Sequence, residues 1–245
     1  MAKGIALVYG IIAYLIFFAT FLYAVAFVGN FLVLKTIDSG PATSFGGALL
    51  VDALLLSVFA AQHSIMARPA FKRVWTKVVP QYAERSTYVL LASLCLLLLY
   101  WQWRAMPQVV WDVQNPVGQM LLRGLFWLGW LLVLTGTFMI DHFELFGLRQ
   151  VSFFARGKEY VGVEFQETLL YSYCRHPIML GFLVAFWAAP RMTAGHLVFA
   201  VATSAYVLLA IQFEEHDLIT AHGEQYREYR GRTSMLLPMM RRRRS

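Results

Sequence analysis

Long apolar runs dominate this chain and limit what it can fold into. Of its 245 residues, 59% are hydrophobic and only 14% are charged, whereas soluble domains carry about a quarter charged residues. Most of the runs reach the roughly 20 residues that a helix needs to cross a hydrocarbon core about 30 Å thick. Because the backbone finds no water in lipid, such segments span as helices. The sequence therefore predicts an all-α, polytopic membrane bundle.

Six apolar segments, separated by polar or proline-containing turns, predict five to six spans. The segments are residues 5–34, 45–66, 86–103, 117–140, 177–189 and 193–213. The fifth is short for a crossing, so it either tilts or forms a helical hairpin with the sixth that does not fully traverse. Pro177 suits the first turn of that helix, where a missing N–H costs nothing.

Lysine and arginine gather on one predicted side of the bundle. They are frequent in the loop after the second span, in residues 149–175 and in Arg241–Arg244. The positive-inside rule makes this side cytoplasmic and places both termini there. The net charge of +7 indicates anionic lipid headgroups, and not nucleic acid, as the partner of the terminal arginines.

Polar pairs lie where the predicted spans reach the cytoplasmic edge. Polar groups at membrane depth are costly, which makes them candidates for function. For a single pair, interfacial anchoring is the alternative, because Arg and Glu often flank membrane helices. No spacing typical of a metal site accompanies them, so no metal is expected. The pairs are Gln62–His63, Asp141–His142, Arg175–His176 and Glu214–Glu215.

The C-terminal motifs resemble those of integral-membrane methyltransferases, among them isoprenylcysteine carboxyl and phospholipid N-methyltransferases. In that family the corresponding segment encloses S-adenosylmethionine at the cytoplasmic membrane face, beneath a lid. The motifs are Arg175-His176-Pro177-x-x-x-Gly181, Glu214-Glu215-x-x-Leu218 and Gly223-x-x-Tyr226-x-x-Tyr229, followed by Pro238. The resemblance implies that residues 165–240 bind this cofactor through Tyr173, Arg175, His176, Pro177, Gly181, Glu214, Glu215, Tyr226 and Tyr229.

The chemistry of S-adenosylmethionine agrees with these residue types. Its ammonium and ribose hydroxyls suit a carboxylate such as Glu214 or Glu215. Its carboxylate suits His176 and the amides at a helix start. Gly181 would let the adenosine approach closely, or would instead serve helix packing.

The upstream motifs resemble the bacterial methanethiol S-methyltransferases. They are Gln62-His63-Ser64-Ile65-Met66-Ala67-Arg68-Pro69 and Asp141-His142-Phe143-Glu144-Leu145-Phe146-Gly147-Leu148-Arg149-Gln150. The resemblance implies methylation of methanethiol to dimethyl sulfide in the bacterial inner membrane, with hydrogen sulfide as a further acceptor. It spans most of the chain, which indicates one domain over residues 1–245 with residues 1–150 on the substrate side.

Methylation of a thiol calls for a group that removes or weakens the S–H proton, because the thiolate is the nucleophile. Asp141, His142 and His63 are the candidates for this catalytic role. Each has an alternative: His63 could hydrogen-bond a neighbouring helix, Asp141 could pair with a basic residue of the loops, and His142 could face water.

Departures from the wider family leave rival functions open. Leu169-Leu170-Tyr171 stands where Gly-Pro-Tyr is common, and His222 replaces the usual Phe. One rival is a lipid or isoprenylcysteine methyltransferase. A second is a membrane sterol-type reductase that binds a nicotinamide cofactor. The third is a non-enzymatic membrane protein of nitrogen-oxide metabolism.

Overall fold

The computed structural model describes residues 1–41, 43–162 and 165–237. Pro238 and Arg241–Arg244, on which part of the motif and the headgroup prediction rest, lie outside the described residues. Five helices are long and apolar enough to cross a membrane, which confirms the predicted all-α, multi-pass architecture. These helices are α1 (Ala2–Gly29), α2 (Phe45–Ala67), α4 (Gln81–Gln102), α5 (Pro116–Ile140) and α9 (Ala194–His222).

Shorter elements connect the long helices. The sequence motifs did not predict α3, α6, α7 or the two strands. The elements are α3 (Pro69–Trp75), β1 (Val109–Asp112), α6 (His142–Leu145), α7 (Leu148–Ala155), a 3-10 turn (Leu169–Ser172), α8 (Pro177–Trp187), β2 (Arg191–Thr193) and α10 (Glu224–Arg232).

Three predicted span boundaries are off by at least five residues: the third span begins at Gln81 and not at Ser86, and local capping explains the other two. The first helix ends at Gly29 and not at Leu34, because Asn30 adopts the left-handed conformation (φ 58°) and its N–H bonds the Ala26 carbonyl. The last long helix continues past Phe213 to His222, where Gly223 at φ 57° ends it. The Glu214–Glu215 pair therefore lies within a helix and does not follow one.

The predicted fifth span is a short helix followed by a strand. At about 1.5 Å per residue, the 11 residues of α8 extend only about 16 Å, roughly half a hydrocarbon core. The chain continues without a helix to β2, which pairs antiparallel with β1. Trp111 Nε1 donates to the Ala189 carbonyl at 3.0 Å, and Val113 N donates to the Pro190 carbonyl at 2.9 Å. Protein groups thus satisfy this non-helical backbone, as membrane burial would require.

The chain forms two compact units. Unit 1 contains Met1–Gln108, His142–Gly162 and Ala194–His196, and unit 2 contains the remaining residues. In unit 1, α4 packs against α1 and α2, while α7 packs against α1 and α4. In this unit the buried Asp52 accepts the Arg104 N–H at 2.8 Å.

Unit 2 is built around the close packing of α5 and α8. Glycine makes this approach possible on both helices. A Cβ at Gly181 would lie 2.6 Å from the Gly129 carbonyl oxygen and 2.8 Å from Val133 N, and a Cβ at Gly136 would lie 2.7 Å from Ile178 Cγ1. This contact fixes the start of α8, where the Arg175–His176 pair lies, against the end of α5.

Candidate functional site

The start of α8 is held by the segment that follows α10. Arg175 N donates to the Ser234 carbonyl at 2.9 Å, and His176 N donates to the Met235 carbonyl at 3.2 Å. The Cys174 thiol contacts the Leu236 carbonyl oxygen at 3.0 Å. Burial raises the pKa of this thiol, so Cys174 stays protonated and acts as a structural group. These contacts place the two ends of the C-terminal motif side by side.

A buried carboxylate, Glu215, forms the centre of unit 2's polar network. Its Oε1 accepts from Arg175 Nε at 2.7 Å and contacts His176 Nε2 at 3.2 Å. Its Oε2 pairs with Arg230 Nε at 3.0 Å. Both side chains of the Arg175–Glu215 pair are at least nine-tenths buried. Three basic partners therefore engage Glu215, which makes it a structural anchor.

The adjacent carboxylate, Glu214, has a different environment. Its side chain is 46% exposed, and its Oε2 lies 3.6 Å from His176 Nδ1. Consecutive helical residues point about 100° apart, because an α-helix has 3.6 residues per turn. The two glutamates of the motif therefore differ in environment: Glu215 is buried, and the side chain of Glu214 is partly exposed.

Tyr226 and Tyr229 of α10 are buried against Phe165. The ring centroid of Phe165 lies 5.7 Å from that of Tyr226 and 5.3 Å from that of Tyr229. The Tyr229 hydroxyl donates to the Tyr171 carbonyl at 2.6 Å. Burial raises the pKa of both phenols, so they remain protonated. The two tyrosines fasten α10 to the segment before α8.

Three further predicted residues surround the start of α8. Tyr173 is exposed, and Pro177 is buried at the first helical position. Gly181 is buried against α5, so packing occupies the face where a side chain would project. From the sequence, Gly181 could serve either the close approach of adenosine or helix packing. In the structure it packs against α5.

We expect Gly181→Ala to destabilise the protein by about 1–3 kcal/mol, because the new methyl group would be forced against backbone atoms of α5. Gly124→Ala in α5 is the matched control, since a Cβ there meets nothing within 4 Å. Thermal unfolding in detergent compares the two variants. Equal midpoints would contradict the close packing of α5 and α8.

The catalytic candidates are divided between the units. Asp141 ends α5 in unit 2, partly exposed. His63 and His142 belong to unit 1, and each lies 2.9 Å from a tyrosine hydroxyl, His63 Nε2 from Tyr88 and His142 Nε2 from Tyr14. His142 is only 3% exposed, so the alternative that it faces water is wrong. The contact between His63 on α2 and Tyr88 on α4 matches the alternative of an interhelical hydrogen bond.

Sequence reasoning missed the partners that complete these networks. Arg230 pairs with Glu215, and its carbonyl also accepts from Arg175 Nη1 at 3.1 Å. Tyr171, Phe165, Tyr14 and Tyr88 were missed as well. In the sequence, Arg230 is one of several arginines in a polar helix, and no local spacing distinguishes it from them. Only information that links distant positions of the chain could have predicted that Arg230 pairs with Glu215.

Comparison with known proteins finds relatives that align with nearly the whole chain. The family model described as NnrU protein matches residues 51–239. The methanethiol S-methyltransferase of Mycobacterium tuberculosis is 59% identical over 97% of this chain and 98% of its own length. Methanethiol S-methyltransferase 2 of Bradyrhizobium diazoefficiens is 56% identical over 98% of this chain and 92% of its own length. The chain belongs to the methanethiol S-methyltransferase family.

A more distant relative is nurim of Rattus norvegicus, which is 32% identical over 70% of this chain and 68% of its own length. No solved structure matches the chain. The range that the family model matches contains both the Gln62–His63 and the Arg175–Glu215 segments. All the candidate site residues therefore lie within the range that the NnrU family model matches.

Proposed function

We propose that this chain transfers a methyl group from S-adenosylmethionine to a small thiol, with methanethiol giving dimethyl sulfide. The single observation that carries the proposal is the 59% identity to a methanethiol S-methyltransferase over nearly the full length of both chains. In the balanced reaction a C–S bond forms at the acceptor sulfur, the sulfonium C–S bond breaks, and the thiol proton is released. Hydrogen sulfide is a further acceptor of the same chemistry.

The residues of unit 2 fit S-adenosylmethionine. Glu214 presents a carboxylate that is 46% exposed, beside the ring of His176. An ammonium or a ribose hydroxyl pairs with such a carboxylate. When bound, this cofactor supplies an electrophilic methyl group on a sulfonium. Glu214 is thus assigned to ligand binding, together with the exposed Tyr173, and the buried His176 supports the Glu214 carboxylate.

The buried residues of the motif hold this surface in place. Arg175 and Glu215 join the start of α8 to α9, while Pro177 and Gly181 set the position of α8 against α5. Tyr226 and Tyr229 keep α10 in place as the lid. Substituting these buried residues would change the affinity for the cofactor by altering the shape of the site.

Asp141 is the best candidate for the proton acceptor. It lies at the C-terminal end of α5 in the same unit as Glu214 and is partly exposed. His142 is buried with Nε2 against Tyr14 and with Phe146 packed on its ring at 4.9 Å between centroids. His63 is likewise engaged with Tyr88. We assign these two histidines to supporting roles.

Glu214→Gln tests the cofactor assignment. Loss of a hydrogen bond between charged groups costs about 1.5–3 kcal/mol, so the affinity for S-adenosylmethionine is expected to fall about 10- to 100-fold. Calorimetry on the detergent-solubilised protein measures this change. Glu224→Gln, at a side chain that is 73% exposed, is the control and is expected to bind normally. Equal affinities in the two variants would remove Glu214 from the site.

We further propose that the site faces the cytoplasm and that both termini lie on that side of a bacterial inner membrane. The basic residues of α3 and of the segment around α7 support this orientation through the positive-inside rule. The terminal arginines would then meet anionic headgroups. Reporter fusions at Ser39 and Ser245 are expected to report opposite compartments. Agreement between the two reporters would contradict the orientation.

A further inference from the structure

A short segment of unit 2, residues 165–172, joins α10 to the end of α5, and we call it the strap. Glu167 of the strap pairs with Arg232 of α10. The Tyr229 hydroxyl, also from α10, donates to the Tyr171 carbonyl at 2.6 Å. An ion pair and a hydrogen bond thus attach the strap to α10 at two separate points.

The strap also caps the end of α5. The Thr168 hydroxyl donates to the Met139 carbonyl at 2.9 Å. Since α5 ends at Ile140, this carbonyl is one of the last four in the helix, which have no partner within it. Asp141 follows α5 directly, so a bond made at Met139 fixes the backbone from which the Asp141 side chain projects.

The backbone beside Thr168 has an unusual conformation. Leu169 has φ 45°, in the left-handed region that residues other than glycine seldom adopt. Its side chain is 70% exposed, so burial of that side chain does not impose the conformation. Thr168 precedes the 3-10 turn, but its side chain makes no capping bond to that turn. Strained backbone persists where surrounding contacts determine it, and it is concentrated at functional sites, so the strain at Leu169 points to a role for the neighbouring Thr168.

We infer that Thr168 is a positioning residue for Asp141: its hydroxyl holds the last turn of α5 so that the Asp141 carboxylate stays where it accepts the thiol proton. This inference rests on the proposed function, in which Asp141 is the proton acceptor, but the capping contact is independent of any reaction. Helix ends fray, and a proton acceptor works only within hydrogen-bond reach of the proton. A misplacement of about 1 Å can cost about 100-fold in rate. A hydroxyl that limits fraying at Asp141 therefore acts on turnover without touching the thiol.

Enzyme kinetics on the full chain test this role. Thr168→Val removes the hydroxyl and keeps the branched shape of the side chain. Turnover with methanethiol at saturating substrates is expected to fall about 10-fold near neutral pH, with unchanged affinity for S-adenosylmethionine. Thr168→Ser keeps the hydroxyl and should retain near-parental turnover. The matched control is Thr135→Val, which removes a hydroxyl that donates to the Leu131 carbonyl within α5 at 2.7 Å and is expected to leave turnover unchanged.

A double-mutant cycle shows whether Thr168 acts through Asp141. In the Asp141→Asn background, Thr168→Val should change turnover by less than about 2-fold, because the group that it positions is already absent. An equal fall in both backgrounds would overturn the inference, since it would mean that Thr168 affects the rate independently of Asp141. A Thr168→Val rate that matches that of Thr135→Val would also overturn it.

Amide hydrogen exchange separates this inference from the proposed function, because it requires no turnover. In Thr168→Val the peptide covering residues 136–141 is expected to exchange about 2- to 12-fold faster than in the parent, whereas in Thr135→Val it should exchange at the parental rate. Faster exchange in a protein whose parent forms no dimethyl sulfide would sustain the capping contact and reject the reaction. Unchanged exchange in a protein whose parent forms dimethyl sulfide would reject the inference and sustain the reaction.

Discussion

Replacing Asp141 by Asn is expected to lower turnover with methanethiol about 10²- to 10⁴-fold near neutral pH, because general-base catalysis typically supplies that factor. The affinity for S-adenosylmethionine should remain close to the parental value. Steady-state rates and calorimetry on the same preparation provide the two readouts. A loss confined to turnover would identify Asp141 as a residue that acts on the acceptor thiol.

The pH dependence of this defect distinguishes a base from a residue that shapes the pocket. As pH rises, solvent supplies more thiolate without assistance, so the ratio of parental to variant rates should shrink. Asp112→Asn, at an exposed position of β1, removes the same charge and is expected to leave the rate unchanged. A ratio that stays constant with pH would exclude Asp141 as the base.

Arg175→Met is expected to destabilise the protein by about 3–5 kcal/mol, because the Glu215 carboxylate stays buried but loses its buried arginine partner. Arg230→Met removes a partner of the same carboxylate, but the Arg230 side chain is 47% exposed. Surface ion pairs contribute about 0–1 kcal/mol, so the effect there should be small. Denaturation midpoints in detergent compare the two variants. Equal losses would contradict Glu215's role as an anchor that depends on burial.

A double variant tests the origin of this loss. Arg175→Met combined with Glu215→Leu removes both charges and retains apolar volume, so it should recover much of the stability that the single variant loses. A double variant no more stable than Arg175→Met would mean that Arg175 acts mainly through its bonds to the carbonyls of Arg230 and Thr233.

The long helices could be predicted from the sequence because apolar length is a local property. The approach of the Arg175–His176 and Glu214–Glu215 pairs to one membrane edge could also be predicted, since two consecutive apolar segments return the chain to that edge. The difference between Glu214 and Glu215 could not be predicted, because tertiary packing decides which of two neighbouring glutamates is buried. The same holds for Arg230 as a partner and for the β1–β2 pairing.

The roles of single residues also depend on tertiary contacts that the sequence does not reveal. Gly181 fits both a ligand contact and helix packing in sequence, and only the distance to the Gly129 carbonyl separates them. His142 could have faced water, but the aromatic rings of Tyr14 and Phe146 enclose it. The contacts of Gly181 with Gly129 and of His142 with Tyr14 join residues that are far apart in the chain, where local patterns carry no information.

The most direct test of the central claim follows the methyl group itself. Membranes containing this chain would be given methanethiol and S-adenosylmethionine with a trideuterated methyl group, and the headspace analysed by gas chromatography with mass detection. We expect dimethyl sulfide that carries one deuterated methyl, far above the level in membranes from empty-vector cells and in membranes with Asp141→Asn. Labelled product no higher than in empty-vector membranes, with the chain present and folded, would contradict this expectation.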